Sequence, residues 1–332
     1  MRHSLGKTNI KDFTRGWFIG DFEPSLLKTK GFEVMARHDV KGNRYPRHFH
    51  KEATEYVLHI GGVHKVDGNI YKDGEMLVIK PYRSVDYECL ENGTTLCVKV
   101  PSRPKDKFLG NVLNIVVLMG GRATRFWSSL KPLADIGGKP MIERVIENLR
   151  PKRKHRFIFV CLKHHFRQLN YLEEFGEIIW LDEVTEGPAC SALAAKKLVN
   201  NNDPLLISDC DQLIEMDLNG YYDSDKDATI LVGKSDNPAF SYVRLKGERV
   251  IETAEKKVIS NLATCGKHLF KHGKYFVEGA QKMIARNKRV RGEFYITPLY
   301  NEILDKNIGV YEAQGWHDLG TPENLQNYLE GK

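Results

Sequence analysis

The 332-residue sequence has no apolar run of about 18–20 residues, the length that a helix needs to span a bilayer. Its first residues, MRHSLGKTNIKDF, lack the hydrophobic region of a secretory signal peptide. The six cysteines occur singly, without a C-x-x-C pair, which argues against a disulfide framework or a zinc site. We therefore expect a cytoplasmic protein with reduced cysteines and no membrane insertion.

The charge of the chain is moderately positive, with a formal net charge of +7. Its densest basic run, PKRKHR around Lys152 to Arg156, follows a predicted helix and has no interleaved aromatic residues. A solvated turn explains this run better than a nucleic-acid patch, so we expect no nucleic-acid partner. A net positive charge does suit anionic small substrates such as nucleotides and phosphates.

The length predicts two domains, with a boundary near residue 105. Residues 1–105 contain short alternating or aromatic-rich runs between Gly, Asn and Asp turns, which indicate an all-β sandwich or small barrel. Residues 106–112 belong to a polar stretch with two prolines, PSRPKDKFLGNV, and we assign them to a linker. The remainder, residues 113–332, forms the second predicted domain.

Two histidines and a glutamate form the most distinctive pattern of the first domain, in HFHKEATEYVLHIGG. His48 and His50 are two residues apart, so on a strand they face the same side and can share a ligand. With Glu55 and the following glycines, the pattern resembles the first cupin motif, and GEMLVIKPYRSVDY resembles the second. The resemblance implies a divalent metal held by His48, His50, Glu55 and Asp86. The alternative is a cupin-like module without metal that binds a ligand or partner.

A short apolar strand and a glycine turn organise the second domain. Ile115 to Met119 indicate a strand buried on both faces, and Gly120 and Gly121 let the backbone turn sharply beside a ligand. Basic residues follow the turn. Backbone N–H groups and positive charge together favour the binding of a polyphosphate. The sequence lacks the third glycine of a dinucleotide fingerprint and the Gly-Lys-Ser/Thr end of a P-loop. Strand and helix patterns alternate further on, which predicts a doubly wound, mostly parallel α/β sheet.

These motifs resemble the sugar-phosphate nucleotidyltransferases, the nucleoside-diphosphate-sugar pyrophosphorylases. LMGGRATRF and LKPLADIGGKPMI stand where that family has its glycine loop and signature lysine, although Ala123 replaces a glycine and Leu130 a proline. TEGPACSALAAKKLV resembles a further segment that contacts the nucleotide. The resemblance implies catalytic roles for Arg125 and Lys131, and nucleotide binding by Met119, Gly120, Gly121, Arg122, Thr124, Thr185, Gly187 and Ala189.

Two aspartates follow a second buried strand, in PLLISDCDQL. Asp209 and Asp211 project to one side, and carboxylates at the carboxyl end of a strand are well placed for ligands of an α/β sheet. One or two carboxylates suit Mg²⁺ that also holds triphosphate oxygens. We assign Asp211 as the ligand, with Asp209 behind it. GWHDLGTPENLQNYL resembles the end of the family pattern, which implies Asp318 as the second Mg²⁺ ligand.

The acceptor site is implied by the segment ETAEKK and the strand after it, which resemble the family's acceptor region. Glu255, Lys256 and Gly266 are the residues that match, with Lys256 on the substrate phosphate. In RGEFYITPLYNEIL, an aromatic cluster, we expect Glu293 to face a cleft.

The sequence thus predicts an Mg²⁺-dependent nucleotidyltransferase that joins an NTP to a sugar 1-phosphate or another small phosphate and releases pyrophosphate. CTP is favoured by analogy with short cytidylyltransferases, and surface-glycan synthesis is the expected context. Two alternatives remain open. One is a regulatory protein that binds nucleotide and sugar without turnover. The other is a bifunctional enzyme whose cupin-like domain also acts on the sugar. Whether the chain forms a homo-oligomer stays open.

Overall fold

The computed structural model describes residues 8–121 and 130–331. The chain folds into two compact units, Met1–Val112 and Leu113–Lys332. No helix in the described ranges is long and apolar enough to cross a membrane.

From residue 8 onward, the N-terminal unit has ten strands in two five-stranded antiparallel sheets, and the predicted strands are present. The first sheet has the order β1-β2-β9-β4-β7 and the second has the order β10-β3-β8-β5-β6. The strands are β1 (Trp17–Ile19), β2 (Glu33–Asp39), β3 (Arg44–Phe49), β4 (Thr54–Ile60), β5 (Val63–Val66), β6 (Asn69–Lys72), β7 (Met76–Ile79), β8 (Val85–Glu91), β9 (Gly93–Val100) and β10 (Phe108–Leu109). Two 3₁₀ helices precede them at Ile10–Asp12 and Thr14–Gly16. The likeness to a cupin stays a prediction.

Side chains that alternate between the two faces of the strands build the core of this unit. In β4, for example, Val57 and His59 are buried while Tyr56 and Ile60 are exposed. The apolar core is small, with Met35, Val57, Val66, Ile79, Val85, Tyr87 and Cys97 as its buried members. The inner faces therefore also carry many polar side chains, which lie against a large cavity described below.

The segment that we assigned to a linker differs from the prediction over its first half. Phe108 and Leu109 form β10, which pairs with Phe49 and His48 of β3. The buried carboxylate of Asp106 accepts backbone hydrogen bonds from Lys51, Glu52 and Ala53, at 2.9, 3.1 and 3.0 Å. These bonds tie residues 106–109 to the N-terminal unit. Two prolines upstream gave the stretch the composition of a linker, but they do not prevent this pairing.

The C-terminal unit alternates strands and helices, as predicted. Its strands are β11 (Leu113–Met119), β12 (His155–Leu162), β13 (Gly176–Leu181), β14 (Leu205–Asp209), β15 (Gln212–Ile214), β16 (Ala228–Lys234), β17 (Ser241–Lys246), β18 (Arg249–Glu255), β19 (Leu262–Phe270), β20 (Ile308–Glu312) and β21 (Trp316–Asp318). Its helices are α1 (Met141–Leu149), α2 (Phe166–Leu169), α3 (Pro188–Leu193), α4 (Lys196–Val199), α5 (Asn219–Tyr222), α6 (Gly273–Ala285) and α7 (Pro322–Leu329). Short 3₁₀ helices lie at Lys131–Leu133, Lys163–His165, Asn170–Glu174 and Thr297–Glu302.

The main sheet of this unit is mixed, with the order β13-β12-β11-β14-β19-β16-β20. β13, β12, β11 and β14 are parallel to one another, and β16 is parallel to β20. β19 runs against both of its neighbours, β14 and β16. β17 and β18 form a hairpin beside β19. The predicted α/β class is confirmed, but the sheet is mixed and not mostly parallel, because β19 and the β17–β18 hairpin pair in antiparallel fashion.

Both faces of this sheet are covered, which explains the unbroken apolar run of β11. Ile115 and Val117 pack with Val145 of α1 on one face, and Val116 packs with Phe276 of α6 on the other. The chain proceeds from β11 to β12 on one side and later returns to β14 on the other side. Such a switch in strand order opens a crevice beyond the carboxyl ends of the two strands, where α/β proteins bind ligands.

Candidate active site

A cavity of about 450 Å³ lies beyond the carboxyl ends of β11 and β14. Its wall combines backbone of the glycine turn with charged and polar side chains from distant parts of the C-terminal unit. The residues that line it are Leu118, Gly120, Gly121, Lys131, Val184, Thr185, Gly187, Pro188, Ser191, Asp209, Cys210, Asp211, Gln212, Lys256, Glu293, Tyr295 and Gly320. Six of the residues predicted for the site therefore line one cavity beside Asp211.

The glycine turn approaches its neighbours closely at Gly120. A Cβ at this position would lie 3.1 Å from Leu181 Cδ1 and 3.6 Å from Ser191 Oγ. A small residue thus lets the turn lie against α3 and the end of β13. Three predicted phosphate-binding residues follow the turn, and they lie outside the described residues: Arg122, Thr124 and Arg125.

Lys131 begins a short 3₁₀ helix and directs its ammonium at Asp211. The Nζ–Oδ2 distance is 2.6 Å, and both side chains are largely buried. Burial alone would lower the pKa of Lys131, but Asp211 raises it above its ordinary value. The lysine therefore remains charged at the edge of the cavity, where it can bind phosphate oxygens.

Asp211 and Asp318 lie side by side because β15 and β21 pair. Gln212 is the direct neighbour of Asp318 in this ladder, and the amide of Leu319 donates to the carbonyl of Asp211 at 2.7 Å. Gly320 follows, and a Cβ there would lie 2.9 Å from Asp318 Oδ1 and 3.0 Å from Asp211 Oδ2. The two carboxylates thus converge on space that only a glycine leaves open.

This pair of carboxylates fits the predicted Mg²⁺ site. Oxygen donors from two aspartates match the ligands that Mg²⁺ prefers, with the remaining positions left for waters and phosphates. Burial and the neighbouring Asp211 raise the pKa of Asp318, so the negative charges lack full compensation. Asn324 Nδ2 donates to Asp318 Oδ2 at 3.1 Å and the Gly320 amide to Oδ1 at 3.0 Å, which fix the carboxylate in place.

Two further charged groups lie close to these ligands: Asp209, which is half-buried and lines the cavity, and the buried Lys267. Lys267 is fully buried and donates to the carbonyl of Gln212 at 3.3 Å. Burial and the proximity of Asp211 raise the pKa of Asp209 to about 7, whereas burial lowers the pKa of Lys267. Gly266 has φ of +61°, and a Cβ there would lie 2.4 Å from Asp209 Oδ2. The absence of a side chain at Gly266 thus leaves room for the carboxylate of Asp209. Gly266 itself does not line the cavity.

The segment before α3 supplies the next wall of the cavity. Thr185 Oγ1 lies 2.7 Å from Ser191 Oγ, which links the predicted contact residue to the helix. Gly187 has φ of +131°, and a Cβ there would lie 2.6 Å from the backbone of Phe294. The side chains of Met119 and Ala189 are buried in the apolar cores on the two faces of the sheet. Contact of these residues with the nucleotide stays a prediction, and it would come from their backbone.

The predicted acceptor residues lie at the end of β18. Lys256 has φ of +52°, and its Nζ lies 2.5 Å from the hydroxyl of Tyr295 and 4.3 Å from the centre of that ring. Glu255 does not line the cavity; it accepts a hydrogen bond from Ser241, and burial raises its pKa. Glu293 does line the cavity, as expected. Lys256 thus offers a cation to an acceptor phosphate.

Sequence reasoning missed three polar residues on this wall: Ser191, Gln212 and Tyr295. Tyr295 stands two residues after Glu293. In an extended segment the two side chains would share a face, so Tyr295 could have been predicted at the cavity together with Glu293. Gln212 follows Asp211 directly, so its position in the sequence could have indicated it. Its buried Oε1 has no hydrogen-bond partner among the described residues. No sequence pattern distinguishes Ser191 from an ordinary helical serine.

The N-terminal unit contains a second cluster, formed by His48, His50 and Glu55. One ligand atom from each lies within 4.8 Å of the others. His48 Nδ1 lies 3.0 Å from the carbonyl of Pro46, and His50 Nδ1 lies 2.6 Å from that of Asp106. Each Nδ1 must donate to its carbonyl, which leaves the two Nε2 lone pairs free to bind a metal. This donor set fits a divalent cation such as Zn²⁺ or Mn²⁺.

Asp86 is not part of that cluster, contrary to the prediction. In β8 the side chains of Val85 and Tyr87 are buried, so the alternation turns Asp86 outward. Its side chain is 53% exposed and accepts from Arg47 Nη2 at 3.0 Å. The structure thus offers three of the four predicted ligands.

Comparison with known proteins supports the assignment of the C-terminal unit. Residues 115–237 match the MobA-like NTP transferase domain. The match supports a nucleotidyltransferase domain in this unit. The chain is similar to the bifunctional protein GlmU of Methanococcus aeolicus, with 23% identity over 224 residues that cover 64% of this chain and 53% of the relative. The chain therefore spans about half the length of the curated relatives that it matches.

Solved structures share the fold of this unit. The nucleoside-diphosphate-sugar pyrophosphorylase from Vibrio cholerae RC9 superposes with a TM-score of 0.54 and 22% identity, over 65% of this chain and 99% of that one. The inositol-1-phosphate CTP transferase from T. maritima gives a TM-score of 0.51 and 16% identity, over 67% and 96%. At these identities the likeness establishes an α/β fold with a mixed sheet.

Proposed function

We propose that the C-terminal unit transfers a nucleotidyl group from an NTP to a sugar 1-phosphate or another small phosphorylated acceptor, with release of pyrophosphate. The observation that carries this proposal is the convergence of Lys131, Asp211 and Asp318 at the carboxyl ends of β11 and β14. The cavity there also holds the glycine turn and Lys256. Together these groups can hold a triphosphate and a phosphorylated acceptor.

The reaction needs positioning and charge neutralisation more than proton transfer. A phosphate oxygen of the acceptor attacks the α-phosphorus, and the bond from that phosphorus to the oxygen bridging to the β-phosphorus breaks. The electron pair leaves with pyrophosphate. A phosphate monoester is already anionic at neutral pH, so no general base is required. Alignment of the two reactants and stabilisation of the developing charge then supply the catalysis.

The residues have separate roles in this scheme. Lys131 binds the triphosphate and the charge that develops on pyrophosphate, and Lys256 holds the acceptor phosphate. Arg125 is proposed for the same phosphates as Lys131 from the sequence pattern alone. Asp211 and Asp318 would hold Mg²⁺, which when bound neutralises phosphate oxygens. Lys267 donates to the carbonyl of Gln212 and would steady the backbone next to Asp211.

The acceptor and base are proposed by analogy. CTP is our first candidate, since one fold neighbour is named as a CTP transferase. A sugar phosphate is the first acceptor, since another neighbour is named as a nucleoside-diphosphate-sugar pyrophosphorylase. The context would be synthesis of a surface polysaccharide in the cytoplasm, where NTPs are available.

The decisive experiment is pyrophosphate release with Mg²⁺ across the four common NTPs and a panel of phosphorylated sugars, polyols and amines. Release with one NTP and one acceptor, lost in Asp211→Ala, is the expected result. NTP binding without release across the whole panel would overturn the enzymatic proposal in favour of a regulatory protein.

A second candidate function is metal binding by the N-terminal unit through His48, His50 and Glu55. The two free Nε2 lone pairs favour it. Metal analysis of the purified chain should give about one divalent ion, lost in His48→Ala and kept in His38→Ala, an exposed histidine of the same unit. If His48→Ala or His50→Ala abolished a sugar conversion other than pyrophosphate release, the chain would be bifunctional. An unchanged metal content in His48→Ala would exclude this site.

A further inference from the structure

The N-terminal unit encloses a cavity of about 880 Å³ that the nucleotidyl-transfer proposal does not use. This volume lies within the range that holds small organic ligands, about 300–1,000 Å³. The three residues of the histidine–glutamate cluster lie on its wall, which they share with aromatic rings and cationic side chains. The balance of charge on this wall indicates what the cavity can hold.

Three of its cations are already paired with carboxylates. Arg37 donates twice to Asp39, at 2.7 and 3.1 Å. Lys99 Nζ lies 2.5 Å from Glu33. Arg103, on the rim, lies 2.6 Å from Glu52. These side chains are held by the protein itself, and their charges are compensated.

Four other cations on the wall form no ion pair or side-chain hydrogen bond within residues 8–121 and 130–331, and all four are exposed: Lys11, Arg15, Lys105 and Lys107. Arg15 and Lys107 are close enough for the charge of Arg15 to act on Lys107. Burial lowers the pKa of Lys107, the charge of Glu55 raises it, and the like charges of Arg37, Lys99 and Arg15 lower it further. An anion that enters the cavity would offset the repulsion between these cations.

The remaining wall offers an apolar face and a polar end. Trp17 lines the cavity, with Lys99 Nζ 4.4 Å from the centre of its ring and Phe22 edge-on against it, and Phe13 also lines the cavity. Aromatic faces can pack against the C–H face of a sugar ring. The Nε2 atoms of His48 and His50 and the carboxylate of Glu55 can exchange hydrogen bonds with hydroxyl groups.

We propose that this cavity binds a phosphorylated carbohydrate, whose phosphate contacts Arg15 and Lys107 and whose ring packs on Trp17. Two cations on the same wall match the double negative charge of a phosphate monoester better than the single charge of a carboxylate. The sugar hydroxyls then reach the cluster of His48, His50 and Glu55. The site belongs to the N-terminal unit and does not rest on the nucleotidyl-transfer proposal.

Calorimetric titration of the full chain, treated with EDTA and free of NTP, tests this proposal. The probes are glucose 1-phosphate, glucose, glucuronate and inorganic phosphate. We expect glucose 1-phosphate to bind at least about tenfold more tightly than each of the other three, because only it provides both the ring and the dianion. Equal affinity for glucuronate, or for inorganic phosphate, would overturn the assignment of a phosphorylated sugar. Failure of all four to bind would overturn the site itself.

Variants distinguish this site from the acceptor site of the C-terminal unit. The double variant Arg15→Ala with Lys107→Ala should weaken binding at least about tenfold, since charge-assisted hydrogen bonds are lost. Lys65→Ala, an exposed lysine elsewhere in the same unit, should bind as the wild type does. Both should keep the wild-type melting temperature without ligand. If Lys256→Ala removed all binding and the double variant removed none, the ligand would occupy the other unit and the proposal would fail.

Discussion

The ammonium of Lys131 lies 2.6 Å from the carboxylate of Asp211, at the point where the strand order of the sheet reverses. The pair joins a residue shortly after the glycine turn to one 80 positions later in the chain. It places a fixed positive charge directly beside the position proposed for Mg²⁺. A triphosphate in the cavity would thus contact two positive charges, the Lys131 ammonium and the proposed Mg²⁺. Asp211 positions both, because it pairs with the lysine and is the proposed metal ligand.

Loss of this lysine should abolish most activity. In Lys131→Ala we expect a fall in kcat of about 100-fold or more, because a positioned cation that stabilises developing charge is worth several kcal/mol. Pyrophosphate release measures it. Lys163→Ala, which removes an exposed lysine paired with Asp182, should retain full activity. Near-normal turnover of Lys131→Ala would show that the lysine has no catalytic role.

Filling the space above Gly320 should weaken Mg²⁺ binding. In Gly320→Ala the new Cβ would lie about 3 Å from an oxygen of both aspartates. The variant should need at least about tenfold more Mg²⁺ for half-maximal activity, because the ligands must move apart. The matched control is Gly31→Ala, whose Cβ would approach no neighbour closer than 3.5 Å. An unchanged Mg²⁺ requirement would place the metal elsewhere.

Lys256 should affect the acceptor and not the nucleotide. Lys256→Ala should raise the KM for the phosphorylated acceptor by about 10-fold or more, because a charge-assisted hydrogen bond is lost, while the KM for NTP changes little. Lys257→Ala removes the adjacent exposed lysine and should change neither value. Tyr295→Phe should give a smaller rise than Lys256→Ala, since the hydroxyl only positions the ammonium. Equal effects on both substrates would assign Lys256 to the triphosphate.

The parts of the site that depend on local pattern could be predicted from the sequence. Gly120 and Gly121 follow a buried strand and Asp211 follows another, so the sequence predicted that both lie at carboxyl ends of strands in an α/β sheet. Asp318 needed the resemblance to a known family, because its pairing with Gln212 joins segments more than 100 residues apart. Sequence periodicity gives the face of a strand but not its partner.

The differences between prediction and structure arise for the same reason: a local sequence pattern does not show what each side chain contacts. Asp86 was placed with the histidines by motif position, but Val85 and Tyr87 occupy the inner face of β8 and turn it outward. Met119 and Ala189 lie within the predicted motifs, and their side chains fill the cores, so their predicted contact with the nucleotide would have to come from the backbone. Asp106 looked like a linker residue because composition does not reveal that its carboxylate binds three amides.

The role of Asp106 can be tested by stability. Asp106→Ala leaves three amides without their acceptor, so we expect a loss of about 2–4 kcal/mol in the stability of the N-terminal unit. Hydrogen exchange of β3 and β4, followed by mass spectrometry, reports on that unit specifically. Asp73→Ala removes one exposed amide bond, to Gly61, and should cost far less. Equal losses in the two variants would restore the interpretation of residues 106–109 as a linker.

A buried histidine pair should make the N-terminal unit sensitive to acid. His59 and His64 are both fully buried, and their Nδ1 atoms lie 2.9 Å apart. Burial and the neighbouring His64 lower the pKa of His59 to about 4, and burial lowers that of His64. Asp39 and Glu75 oppose this shift and Arg37 adds to it, but burial dominates.

Between about pH 6.5 and pH 4 the unfolded chain therefore binds protons that the folded pair does not. The free energy of unfolding must fall as the pH falls through this range, since protonation favours the state that binds more protons. Hydrogen exchange of β4 and β5 at about pH 7 and about pH 5, corrected for intrinsic exchange rates, measures this slope. His59→Phe keeps a ring beside Tyr71 and removes one titrating group, so its slope should be shallower than that of the wild type. His38→Asn, at an exposed position, should leave the slope unchanged. Parallel slopes in His59→Phe and wild type would mean that other groups govern the acid response.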